Sequence, residues 1–512
     1  MSFRLDLNIQ RAINSTLGFT PQSLFASSQL GGLWQGTVPA TIFSDTAGTT
    51  PATLGGQVAR VNDGSGNGIN LTQSNASLRP LRGRRPRTGV RNLLTNSAMA
   101  GAVVGVVGSG GALPTGWSVT AMPAGTVSVV GFGVEDGQDF IDIRLNGTSS
   151  TGAVGILPVS SVTSIPALAG QSAVGSLSIR RVAGSNTNIT HVRSAHEYYT
   201  SAGAFITQAN GPTYQVSDVY RQEVYATTPA NAATAFVRFN CQVATSGAID
   251  ITLRLRGLQY EVGTAPTAYQ RRAGIFDVTE AGVPDVGILG FDHVDDALPS
   301  PPLAGGLTGQ AFVAGDGGCY VTDLNIAPGG AFTLGGASLH NWTGAPNGAL
   351  QAVSNNTGRI LDAVIRAGTF TQAEIAALER FYVALGGRAL LVPDGPNLWT
   401  GTPTRVDAGI TVTGDASASL NTSGVALVGW NSAGLKLDIG AWYLASVNLT
   451  RTSGNFLAPY DGSGATQLVL TASGVSARIF RAQNRDLYVG TNGAAVGTMT
   501  DISVRRLINR SL

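Results

Sequence analysis

Charge is scarce in this chain. Charged side chains are 12% of the 512 residues, about half the usual quarter for a soluble domain, and lysine stands at Lys436 alone. Solubility therefore rests on Ser, Thr, Asn and Gly. With a formal net charge of +2, the molecule as a whole does not attract nucleic acid electrostatically. The two cysteines, Cys241 and Cys319, are too few and too far apart for a disulfide framework or a paired-thiol metal site, and are expected to be buried free thiols. No apolar run approaches the roughly 18 residues that span a bilayer, so no membrane span is expected. The opening MSFRLDLNIQRAIN has no apolar core of a signal peptide. Synthesis in the cytoplasm is expected, with export by another route such as a particle released by lysis.

Catalytic signatures are missing too. There is no GxSxG, no phosphate-binding loop and no spaced Cys/His set. His191 and His196 are five apart, which on a strand puts them on opposite faces. Asp292, His293, Asp295 and Asp296 form one compact group of metal-ligand types, read as a surface loop between prolines. The expectation is no metal, no cofactor and no enzymatic activity.

What the chain has in abundance is glycine, 68 residues, set between short runs of alternating apolar and polar side chains. This is the texture of a mainly β protein, and the length calls for three or more domains. The clearest run is Ala248 to Arg272, where Ile249, Ile251, Leu253 and Leu255 alternate with polar residues before a turn-rich tail. Met499 to Leu507 does the same through Ile502 and Val504. Two β-domains are thus expected to end alike.

Residues 1–19 are read as an attachment segment. From Thr20 to Arg82, Ser23-Leu24-Phe25, Phe43-Ser44-Asp45, Gln57-Val58-Ala59-Arg60 and Arg79-Pro80 resemble the lectin-like (concanavalin-A/laminin-G-like) module of phage tail and fibre proteins. Its Asp63 to Gly68 stretch imitates half of a calcium loop, but Ser74 stands where a bidentate Glu belongs, so a turn between strands is expected. Arg82 to Arg91 is the one dense basic run. It is read as a linker, with a polyanion as the other reading.

Asn92-Leu93-Leu94, Pro114-Thr115-Gly116-Trp117 and the closing Leu258 to Tyr269 resemble a carbohydrate-binding-module jelly roll over 92–272, with Trp117 in its core. Thr371 and Glu374 are spaced as a capping box, and Ile375, Leu378, Tyr382 and Leu385 form the stripe of one helix. That helix resembles the last helix of the lectin-like module, which would then be split into 20–82 and 275–388. From Pro396-Asn397-Leu398-Trp399 a second, smaller jelly roll is expected over 396–512.

Sugars need flat aromatic faces beside amides, carboxylates and arginine forks. The candidates chosen by that rule are Arg193, His196, Tyr198 and Tyr199 in the first jelly roll, and Trp430, Asn431, Phe456, Tyr460 and Asp461 in the second. The whole resembles fibre or spike proteins of tailed phages and gene transfer agents. That resemblance implies a particle-surface protein that binds host capsular polysaccharide and other particle proteins, and that forms a homo-oligomer, with a trimer favoured. The alternatives are a polysaccharide depolymerase or deacetylase with sugar-binding modules, and an architectural connector.

Overall fold

The computed structural model describes residues 19–25, 29–120, 122, 124–292, 295–315, 318–335, 349–350, 359–387, 391–394, 397–399, 402–414, 416–430, 436–437, 442–461, 469–470, 473–482 and 486–509. The expected attachment segment falls almost wholly outside them. Within them the chain is mainly β, with several sandwich-like sheets and one α-helix. It divides into two compact units, residues 84–285 and residues 1–83 with 286–512. No helix of the described residues is long and apolar enough to cross a membrane.

In chain order the first long strand is β1 (Gly31–Gln35). The unit 84–285 then contributes β2 (Ser118–Thr120), β3 (Ala124–Glu135), β4 (Gln138–Thr148), β5 (Ala153–Leu157), β6 (Ala173–Gly184), β7 (Ile189–Tyr199), β8 (Phe205–Asn210), β9 (Arg221–Thr227), β10 (Phe236–Thr245) and β11 (Ile249–Val262). One sheet runs β9-β6-β11-β4-β3 and continues into two short strands. The other runs β8-β7-β10-β5-β2. Alternation decides which side is apolar: Ile251, Leu253 and Leu255 from β11 meet Val237, Phe239, Cys241 and Val243 from β10 in one core. Trp117 closes this core, donating its indole N–H to the Asn96 carbonyl at 2.8 Å.

The basic run lies at the entrance to this unit, where two of its arginines are ion-paired, while Arg87 holds buried guanidinium nitrogens without a partner among the described residues. Arg84 pairs with Asp277 at 2.6 Å and Asp285 at 3.2 Å, while Arg91 pairs with Glu280 at 2.8 Å. Arg85 is buried.

In the other unit, β12 (Leu307–Gly315) and β13 (Gly318–Ile326) form a hairpin, and β12 pairs with β14 (Arg359–Ala367). β1 pairs antiparallel with β14, Trp34 opposite Ala363, more than 320 residues away in sequence. Trp34 packs in one core with Phe291, Phe332 and Ile365. The helix α1 (Gln372–Ala384) begins at Thr371 with the expected capping box to Glu374. Its Tyr382 hydroxyl donates at 3.0 Å to the buried Asp362 of β14.

Strands β15 (Arg405–Val406), β16 (Ile410–Gly414), β17 (Ser417–Thr422), β18 (Ala426–Trp430), β19 (Trp442–Ser453), β20 (Phe456–Tyr460), β21 (Val469–Leu470), β22 (Gly474–Arg481), β23 (Leu487–Thr491) and β24 (Ala495–Asn509) follow. Their sheets run β22-β19-β24-β17-β16 and β21-β20-β23-β18-β15. Matched in chain order, β15 to β24 repeat the pairings of β2 to β11 strand for strand. The same device closes both. Asn92 accepts from the backbone N–H of Leu94 and Tyr260 and donates to the Leu258 carbonyl. Asn397 accepts from Trp399 and Val504 and donates to the Ile502 carbonyl. Just before each clasped carbonyl the last strand turns through a positive φ, 59° at Gly257 and 53° at Asp501. Gly reaches that region freely, and Asp is among the side chains that tolerate it.

Candidate functional site

Strand alternation separates the sequence candidates of the first sandwich. In β7, His196 and Tyr198 point into the core, whereas Arg193, Glu197 and Tyr199 lie on the opposite face of the sheet. His196 is walled by the rings of Tyr225 and Tyr260, each 5.0 Å away, and of Phe239 at 5.8 Å. Burial pushes its pKa down to about 3, so it is a neutral core histidine.

The outer face is polar and tied together. Glu197 lies opposite Arg238, Ala195 opposite Asn240 and Arg193 opposite Gln242. The Glu197 carboxylate accepts from Tyr199 Oη at 2.7 Å, from Arg238 Nε at 2.8 Å and from Asn240 Nδ2 at 2.8 Å. That leaves the buried Asn240 Oδ1 with no hydrogen-bond partner. Beside it, Arg193 Nε donates to Gln242 Oε1 at 3.0 Å, and the amides of Gln242 and Gln208 bond reciprocally at 3.2 and 3.3 Å. Gly155 keeps the floor low: a Cβ there would come within 3.0 Å of Asn240 and 2.8 Å of Thr120.

At the end of this face stands an aromatic side chain that sequence reasoning passed over. Phe205 lies opposite Tyr199 in the β7–β8 pairing, edge-on to its ring at 5.8 Å, and is 60% exposed. Arg238 sits over the Tyr199 ring at 5.5 Å. An exposed flat ring next to fixed amides and guanidinium groups is the combination that holds a sugar by its C–H face and its hydroxyls. The other sheet of this sandwich differs. Its outer charges close on each other, Arg254 with both oxygens of Asp142 at 2.7 Å and Arg144 with both of Asp250 at 2.8 Å.

The candidates of the second sandwich do not come together. Trp430 and Phe456 are in its core, Trp430 perpendicular to Trp399 at 4.9 Å and bonded to the Thr402 carbonyl. Asp461 is fully buried, and Asn431 lies outside the described residues. Tyr460 is on the outer side of its sheet, but packs with Tyr488 and Leu457 in a small buried cluster. This face is the counterpart of the polar one on the first sandwich; its Leu457, Tyr460 and Tyr488 side chains are buried, and Arg405 lies over the Tyr488 ring and pairs with Asp407.

Two further groups resolve into loops. Asp63 accepts from the N–H groups of Ser65 and Ile69 in its own turn and of Leu33 in β1, so its carboxylate ties the turn to that strand. Asp292, Asp295 and Asp296 have carboxylate oxygens within 4.8 Å of one another. There Asp292 accepts from the N–H groups of 295 and 296, and burial raises Asp296 to about 6. His293 lies outside the described residues.

No protein-family model matches the sequence, and no curated protein sequence matches it. Solved structures do, at low similarity. The enzymatically active domain of tailspike protein 4 of bacteriophage CBA120 is 14% identical over 29% of this chain and 20% of its own, with a TM-score of 0.21. This chain thus spans about a fifth of that protein. The xylan-binding CBM22-1 domain of Paenibacillus barcinonensis Xyn10C is 14% identical over 35% of this chain and 98% of its own, TM-score 0.24. The CBM22-1-CBM22-2 tandem of the same enzyme is 10% identical over 82% of this chain and 98% of its own, TM-score 0.28.

Proposed function

We propose that this is a non-enzymatic fibre or spike protein of a phage-like particle, and that the outer face of the β8-β7-β10-β5-β2 sheet binds host capsular polysaccharide. The observation that carries the reading is Phe205, an exposed ring at the end of a face whose amides and guanidinium groups are already fixed in place. Fixed donors lose little freedom on binding, so each hydrogen bond to a sugar hydroxyl counts nearly in full. In this reading both sandwiches are jelly rolls, and 20–82 with 275–388 is one lectin-like domain. The first jelly roll recognises sugar, and the second, whose outer Tyr460 and Tyr488 rings are buried, is architectural. Attachment to other particle proteins and assembly into an oligomer, with a trimer favoured, complete the proposal; avidity then makes weak single sites sufficient.

Glycoside cleavage commonly uses two carboxyl groups about 5 to 10 Å apart. Glu197 is the carboxylate of this face, and its oxygens are engaged by Arg238, Asn240 and Tyr199. Binding without cleavage is therefore the expected outcome when the protein is incubated with purified capsule. Release of oligosaccharides or acetate would establish the enzyme instead, and neither retention nor cleavage would leave the connector. Phe205→Ala removes a stacking platform worth roughly 1 kcal/mol. It should weaken retention about five- to tenfold while leaving the melting temperature unchanged.

A further inference from the structure

The sugar reading leaves open which sugars, and the charges of the face bear on that. Glu197 is matched by Arg238, their side chains bonded on the face. Arg193 has no such match. Its Nε is held by Gln242, which is itself held by Gln208, so the guanidinium plane is fixed at the point where it leaves the sheet. Its terminal amino groups make no hydrogen bond or ion pair within the described residues, and the side chain is half-buried. The face thus carries two arginines against one carboxylate, with the surplus positive charge at a preorganised two-pronged donor. A carboxylate presents two acceptor oxygens in the matching geometry.

Resting on the sugar-binding reading of this same face, we propose that it selects acidic polysaccharide, with the terminal amino groups of Arg193 taking the carboxylate of a uronic-type sugar in a bidentate pair. The half-buried Gln208 and Gln242 amides take neighbouring hydroxyls, and Phe205 takes a ring face of the chain. Arg193 is then the residue that discriminates acidic from neutral glycans.

The test is an array of polysaccharides, each presented in its native acidic form and again with its carboxylates reduced to primary alcohols, probed with the full chain. A hydrogen-bonded charge pair supports about a tenfold preference for the acidic member, weakening as salt is raised. Arg193→Met should abolish the preference, binding the acidic and reduced forms alike, and Arg193→Lys should keep part of it. The melting temperature of each variant reports whether the sandwich is intact. Should Arg193→Met melt early, the lysine variant and the salt dependence of the parent decide the matter. Equal binding of both forms by the parent, or a preference that survives Arg193→Met, overturns the acidic assignment and leaves the sugar reading standing. Failure to bind any member of either set removes the sugar reading, and this inference with it.

Discussion

His196 shows how one side chain couples burial to acid stability. Both ring nitrogens are buried without a hydrogen-bond partner, and the surrounding rings of Tyr225, Phe239 and Tyr260 offer no countercharge. The folded chain therefore holds the neutral ring down to about pH 3, whereas an unfolded histidine takes its proton near 6.5. Above about 6.5 neither state is protonated there, and the residue adds no pH dependence. As pH falls below that value the unfolded state gains a proton that the folded state refuses, so stability drops by about 1.4 kcal/mol per pH unit down to about 3. His196→Phe fills the same aromatic box without unpartnered nitrogens. The expected result is a higher melting temperature at pH 7 and loss of this share of the acid slope, read by thermal denaturation of parent and variant at half-unit steps from pH 7 to 4. An unchanged slope would mean that the ring is not held neutral.

At the scale of the element, the Asn clasps explain why the strand ends were readable and the binding face was not. The phrases Asn92-Leu93-Leu94 and Asn397-Leu398-Trp399 are visible in the sequence because each does a local job: the side-chain amide holds the backbone two residues on and ties the module's first residues to its last strand. The alternation of β11 and the capping box of α1 are local in the same way. The face is not local. Glu197 meets Arg238 and Asn240 across more than 40 residues, and only the register of β7 against β10 brings them together. Choosing aromatics next to Gly/Ser/Asn loops favoured Trp430 and Phe456, and choosing a segment of interleaved polar and aromatic residues favoured Tyr198, yet packing puts all three inside. The usable signal was the run of polar residues at every second position, Arg238, Asn240 and Gln242, facing Arg193 and Glu197. Asn92→Ala leaves the Tyr260 and Leu94 N–H groups and the Leu258 carbonyl unpaired in a buried place, which costs about 2–4 kcal/mol. Asn397→Ala, at a half-buried position, should cost less. Urea denaturation of the two variants checks the order, and equal small losses would show that the clasps are incidental.

At the scale of the whole molecule, His196 and Asp362 give the two compact units opposite pH contributions between about pH 5 and 7.5, above the acid range in which the depressed carboxylates Glu374 and Asp407 lose their charge. Residues 84–285 contain His196 and weaken toward acid through it; Glu223 in the same unit, raised by burial, acts the other way. The unit made of 1–83 and 286–512 contains Asp362, whose carboxyl accepts from Thr37, Tyr382 and Gln35, yet is pushed up to about 7 by complete burial. Here the folded state keeps a proton that the unfolded state gives up near 3.8, so the contribution of Asp362 to stability is greatest below that value. It falls as pH rises toward 7, by roughly 4 kcal/mol over the full interval. Asp296, raised to about 6, adds to the same trend. Calorimetry of the full chain at pH 5 and at pH 7.5 is therefore expected to resolve two transitions. The one that moves down on going to pH 7.5 belongs to the Asp362 unit. Asp362→Asn should flatten that transition alone and leave the other where it was, because the core around His196 draws its side chains entirely from the unit 84–285. A single transition shifting as one in the variant would show that the two units unfold together, and would refute their independence.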